Sequence, residues 1–146
     1  MTIVPKTEEI VEALNKKDID QWSGDELSRA VVKLSLLLVN LGREVSEATL
    51  NANSAYMYRK FKFATEFKRI RQELELNIKD SEMTALQNIK KSKEEEITSQ
   101  YNADVLRSFY DDVSRLVMSL QSRLKFLRDE KVNSKDFDKL DKLNKR

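Results

Sequence analysis

The chain is predicted to be all-α: a long antiparallel helical hairpin or coiled coil, with a short N-terminal helix and a tendency to self-associate. Three observations carry this. Its 146 residues include only two glycines, Gly24 and Gly42, and one proline, Pro5, with neither type from Arg43 to Arg146. A stretch of that length without them lacks the turn residues that β-hairpins and βαβ units need. The composition, 36% charged, 40% hydrophobic and 8% aromatic, suffices to seal seams between helices but not to fill a thick globular core. Finally, apolar residues recur at heptad spacing, the signature of a helix packed along one stripe.

Taken in order, residues 1–22 read as a short helix and loop. Over residues 6–17, Thr7 can cap, Glu8 and Glu9 suit the positive end of the helix dipole, and Ile10, Val11 and Leu14 share a face. Asp18 to Ser23 is a loop. Ser23 with Glu26 forms a capping box that opens the main helical domain, residues 23–132. Leu27, Val31, Leu34, Leu38, Leu41 and Val45 then make a coiled-coil seam that continues through Ala48, Ala52 and Ala55. Its change from leucine to alanine predicts a closer approach of the partner helix over residues 48–55. Gly42 interrupts the pattern at a cost of about 1 kcal/mol relative to alanine.

Beyond Ala55 the heptad would place Arg59 and Lys62 in the seam. The pattern therefore predicts a slip in register, with the apolar line resuming at Tyr56, Phe63, Phe67, Ile70 and Leu74. A break is expected near residues 77–82, with Asp80 or Ser81 capping a helix that opens with Glu82. That second helix runs to about Lys131 through Leu86, Ile89, Ile97, Tyr101, Val105, Phe109, Val113, Leu116, Leu120, Leu124 and Leu127. Its run from Lys90 to Glu96 reads as a solvated face. Two helices of roughly fifty residues, each about 75 Å long, suggest an antiparallel pair. Residues 133–146 form a charged tail, read as a frayed end or a short terminal helix.

Several function classes lose their usual chemistry. The chain has no cysteine and no histidine, so thiolate metal sites, disulfides and the commonest general base are missing. Asp111 and Asp112 are adjacent on a helix and point about 100° apart, so they do not converge on a metal. No phosphate-binding loop, dinucleotide fingerprint or nucleophile elbow is present. A non-enzymatic protein with no cofactor and no metal is expected. The segment Met1 to Lys17 carries Glu8, Glu9 and Glu12 and lacks the apolar run of a signal peptide, and no stretch reaches the ~20 apolar residues of a membrane span. A cytoplasmic location follows as an expectation.

The net charge of +2 is unevenly spread. Residues 1–55 hold six Lys/Arg against nine Asp/Glu, residues 56–79 seven against three, and residues 80–146 fourteen against thirteen. Within the basic middle, five of the eleven aromatic residues fall between 56 and 67, beside six basic residues between 59 and 71. Single-stranded nucleic acid is held by this combination, cations on phosphates and ring faces on bases. The candidate contacts are Tyr58, Arg59, Lys60, Phe61, Lys62, Lys68, Arg69 and Arg71. The plainer reading makes Phe63, Phe67 and Ile70 core positions and leaves the cations in water. Tyr58 and Phe61 are the rings that the core stripe does not claim.

The order of features, a basic helix with aromatics, then Lys79-Asp80-Ser81-Glu82-Met83, then a long helix with Tyr101 and Leu106, then Ser122-Arg123 followed by Leu124 and Leu127, resembles the UvsY-like recombination mediators of T-even-like phages over roughly residues 50–131. The resemblance implies a ring-forming, non-enzymatic homo-oligomer in the host bacterial cytoplasm. Such a protein binds single-stranded DNA, helps remove the single-strand-binding protein and loads a RecA-like recombinase. The family's Lys-Ala-Arg-Leu motif has no literal copy; Phe67 to Arg71 is its nearest counterpart. The family's oligomerisation helix corresponds to Val105, Phe109, Val113, Leu116, Leu120, Leu124 and Leu127. The competing expectation is a structural or protein-interaction coiled coil, such as a phage assembly chaperone, a scaffold component or an inhibitor of a host protein, in which the Leu27 to Ala55 heptads bind a partner chain.

Overall fold

The computed structural model describes residues 11–12 and 21–144, with side chains described as far as Val132 and at Ser134. Three helices follow one another: α1 (Gly24–Glu73), α2 (Ile78–Asn88) and α3 (Lys90–Asn144). No strand occurs among the described residues, and the helices pack as an all-α hairpin. The short helix expected over residues 6–17 lies outside the described residues, apart from Val11 and Glu12, which are helical. No helix among the described residues is long and apolar enough to cross a membrane.

The capping box at the start of α1 forms as the sequence predicts. The Glu26 N–H donates to Ser23 Oγ at 3.2 Å, and the Ser23 N–H donates to Glu26 Oε2 at 2.8 Å. Two of the donors that a helix start leaves unpaired are thereby satisfied.

The reversal lies slightly earlier than expected, between Glu73 and Ile78. Glu75 takes a left-handed conformation, φ 51°, doing without glycine what glycine usually does after a helix. Asn77, rather than Asp80 or Ser81, caps α2: its side chain accepts from the Asp80 N–H at 2.8 Å and donates to Asp80 Oδ2 at 2.7 Å. Arg71 closes the turn by donating to the Leu76 carbonyl at 2.8 Å. The helix expected from Glu82 is thus two helices, beginning at Ile78 and bending at Ile89. The hydrogen-bond ladder runs on through the bend, from the Ile89 N–H to Ala85 O and from the Lys93 N–H to Ile89 O, both 3.1 Å. At its far end α3 continues to Asn144, so the backbone does not fray at the tail expected from residue 133. Nothing there is a glycine or proline that would stop it.

Contacts group the chain into two compact units, Met1–Gly42 with Tyr110–Arg146, and Arg43–Phe109. In the first, Leu27, Leu34 and Leu41 are fully buried, and Val113, Val117 and Leu120 are buried as well. Val31, Leu38, Tyr110, Leu124 and Leu127 are half-buried. A methyl added at Gly24 would meet Leu124 at 3.9 Å, and one at Gly42 would meet Tyr110 at 3.5 Å. Those pairings run in opposite directions along α1 and α3, the antiparallel order expected.

In the second unit the slip predicted after Ala55 is found in part: Phe63 and Phe67 are half-buried and Ile70 is fully buried, as expected. Arg59, Lys62 and Glu66 stay on the seam side, all half-buried, while Tyr56 and Leu74 are exposed. Polar partners accept them there: Arg59 pairs with Glu96, Lys62 donates to Ser92 Oγ at 3.3 Å, and Asn88 donates to Glu66 at 3.1 Å. The facing helices correct the sequence reading in the same way. Residues 85, 89, 92, 96, 99, 103 and 106 keep 4-3 spacing and are buried or half-buried, whereas Leu86, Ile97, Tyr101 and Val105 are exposed. This seam sets the small residues Ala85, Ser92, Ser99 and Ala103 beside Ile89, which the apolar stripe places correctly, and Leu106.

Candidate nucleic-acid interface

The eight candidate contacts all lie in the Arg43–Phe109 unit on one continuous helix. Helical geometry separates them by face. Arg59 and Lys62 point toward the seam. Arg59 is committed to Glu96, the two side chains being 22% and 20% exposed. Lys62 reaches Ser92 and lies 5.8 Å from the centre of the Tyr58 ring. Arg69 is clamped between Glu66 at 3.0 Å and Glu73 at 2.8 Å. The Arg69 hydrogen bond, followed by that of Asn88, holds the Glu66 carboxyl below its ordinary value. The same two carboxylates push the Arg69 guanidinium up. Arg71 is spent on the Leu76 carbonyl.

Four candidates are left facing outward. Phe61 is 72% exposed and Tyr58 55% exposed, with Lys60 and Lys68 exposed nearby. Lys68 has no ion-pair partner among the described residues. Spacings of three and seven put Tyr58, Phe61 and Lys68 on neighbouring positions of one helix side, next to exposed Met57. Phe63 and Phe67, stacked at 6.0 Å, are half-buried, in keeping with the core role suggested for them. The arrangement offers two exposed rings and, on their side of the helix, the unpaired ammonium group of Lys68, while Lys60 stands over Tyr56 on another side. Exposing two rings in one turn of helix puts apolar surface in contact with water that a ligand's surface can relieve.

Two further rings lie elsewhere in this unit. Tyr56, 39% exposed, carries Lys60 Nζ 4.7 Å from its ring centre, and Tyr101 is 67% exposed. Tyr101 counted in sequence as a stripe residue, and no spacing signal marked it as a surface ring, because that depended on which helix face meets α1.

The proposed oligomerisation residues divide as well. Val113 and Leu120 are buried, Phe109, Leu116, Leu124 and Leu127 are half-buried, and Val105 is exposed. Most of that stripe is therefore covered within one chain. Among the described residues, no three carboxylates converge on a metal-sized site. No family model matches the chain, and no curated protein or solved structure is significantly similar to it.

Proposed function

We propose that the chain is a non-enzymatic single-stranded DNA-binding protein that acts as a recombination mediator, presenting DNA to a RecA-like recombinase as the UvsY resemblance implies. The observation that carries the binding step is the pair of outward rings, Tyr58 and Phe61, with the exposed ammonium group of Lys68 on the same side of the helix. Every base has a π-face, so exposed rings bind single strands without regard to sequence, and lysines beside them meet the phosphates. Because Arg59, Lys62, Arg69 and Arg71 are engaged within the chain, stacking carries a larger share of the affinity than the basic sequence suggests. Displacing the counterions of two lysines, Lys60 and Lys68, gives a log–log salt slope of about −1.4, far shallower than the roughly −4 of six free cations.

The test is binding of a fluorescent oligonucleotide across a salt series, with molar mass read by light scattering in the same buffers. A shallow slope, and loss of binding in a Tyr58→Ala/Phe61→Ala variant, support the reading. Absence of binding at low salt removes it.

A second reading has its own observation. Residues 27–43 contain three cations, Arg29, Lys33 and Arg43, and no acid, while Val32, Leu36 and Val39 stand exposed at 4-3 spacing. The Leu27 to Ala55 heptads that the interaction alternative assigned to a partner are covered within the chain, but this second face suits an acidic amphipathic helix of a protein partner. A complex that survives high salt distinguishes it.

A further inference from the structure

A groove of about 510 Å³ opens along the Arg43–Phe109 unit on the side that carries Tyr56 and Tyr101. Its size matches sites that take small planar ligands. Arg59 and Glu96, also among its lining residues, neutralise one another. Tyr101 presents an open ring and Ile97 an exposed apolar side chain beside it. Two amides contribute, Asn53 and Gln100. Gln100 uses its N–H on Asp104 at 3.0 Å, which leaves its carbonyl oxygen free to accept, and the Asn53 side chain has no protein partner among the described residues. Lys93 lines the groove, and Lys60 stands over the Tyr56 ring next to it.

An uncharged aromatic platform, amides that both donate and accept, and cations close by answer the three parts of a nucleotide. The ring face takes the base, the amides take its hydrogen-bonding edge, and the ammonium groups take the flanking phosphates. A free phosphate would gain nothing from Tyr101, and an apolar peptide side chain would leave the amides unused.

We propose that the groove beside Tyr101 binds one unpaired nucleobase, stacked on Tyr101 and read at its edge by Asn53 and Gln100, with Lys60 and Lys93 on the adjoining phosphates. The inference rests on the single-strand reading above and adds a base site on a different helix from Tyr58 and Phe61. It also predicts that a bound strand engages α3 and not α1 alone.

The experiment compares the full chain with Tyr101→Ala and Tyr101→Phe on two probes of equal length, a labelled oligothymidylate and a labelled abasic deoxyribose-phosphate strand. Tyr101→Ala should weaken oligothymidylate binding by about five- to tenfold or more, leave the abasic strand unaffected, and be rescued by Tyr101→Phe. Because Tyr101 is exposed, its replacement should leave the thermal melt unchanged, which separates a lost contact from a damaged fold. If the parent chain binds oligothymidylate and Tyr101→Ala binds it equally well, the base site is wrong and the single-strand reading survives. An equal loss on both strands also overturns the site. If the parent binds neither strand, both proposals fall.

Discussion

Between Leu27 and Leu41 the buried line of α1 is leucine at every seventh residue. Between Arg59 and Glu66 the two seam lines, one continued from those leucines and one from Val31, Leu38 and Val45, hold arginine, lysine and glutamate, answered by Glu96, Ser92 and Asn88. One helix thus makes two kinds of seam. In the first unit, stability comes from removing large side chains from water, about 1.5–3 kcal/mol for each leucine. In the second, Ile70 and Ile89 are the large side chains fully buried, the alanines and serines between them contribute little area, and hydrogen-bonded pairs help dictate which residues face one another. Exchanging apolar burial for polar pairing lowers stability and raises selectivity of register, because a shifted helix would leave charges unpaired.

The comparison can be broken first at its apolar end. Leu34→Ala should destabilise the fold by about 2–5 kcal/mol in denaturant melts, through lost burial and the cavity left behind. A loss below that of a surface substitution would mean that the first seam is not the main source of stability. At the polar end, Glu96→Gln removes the ion pair and keeps a neutral acceptor for Arg59. It should cost about 1–3 kcal/mol, and because it frees Arg59 it should steepen the salt dependence of any oligonucleotide binding.

A smaller effect is expected at the turn. Glu75 pays for a left-handed backbone, so Glu75→Gly should raise stability by about 0.5–1 kcal/mol despite the greater freedom of glycine in the unfolded chain. The smallest effect concerns the Glu66 carboxyl, whose value is depressed chiefly by the Arg69 hydrogen bond. A depressed carboxyl adds stability above its unfolded value and loses it as pH falls through its folded one. Arg69→Ala should move the Glu66 midpoint upward in a carbon-detected NMR titration. An unchanged midpoint would show that the Glu66–Arg69 contact does not persist in solution.

Helix content, the Ser23–Glu26 cap, the Leu27 to Val45 seam and the antiparallel order were all legible in the amino-acid sequence. Each depends on local spacing or on an unbroken apolar period, and neither needs knowledge of a partner. The outward aspect of Tyr58 and Phe61 was legible for the same reason, as the rings that the apolar stripe left over. The turn at Leu74 to Asn77 was misplaced by a few residues, because a glutamate in the left-handed region leaves no mark of the kind that glycine does. The seam beyond Ala55 was hidden more deeply. Arg59 and Lys62 look like surface cations, and Ile97 and Tyr101 look like core, until α1 and α3 are set side by side. Only tertiary structure decides such a seam, because a charged residue can face inward only where another helix supplies a counter-charge or a polar partner, and a large ring is turned outward where small neighbours have taken the inner positions. Local periodicity records what each helix would bury alone, whereas packing selects what two helices bury together.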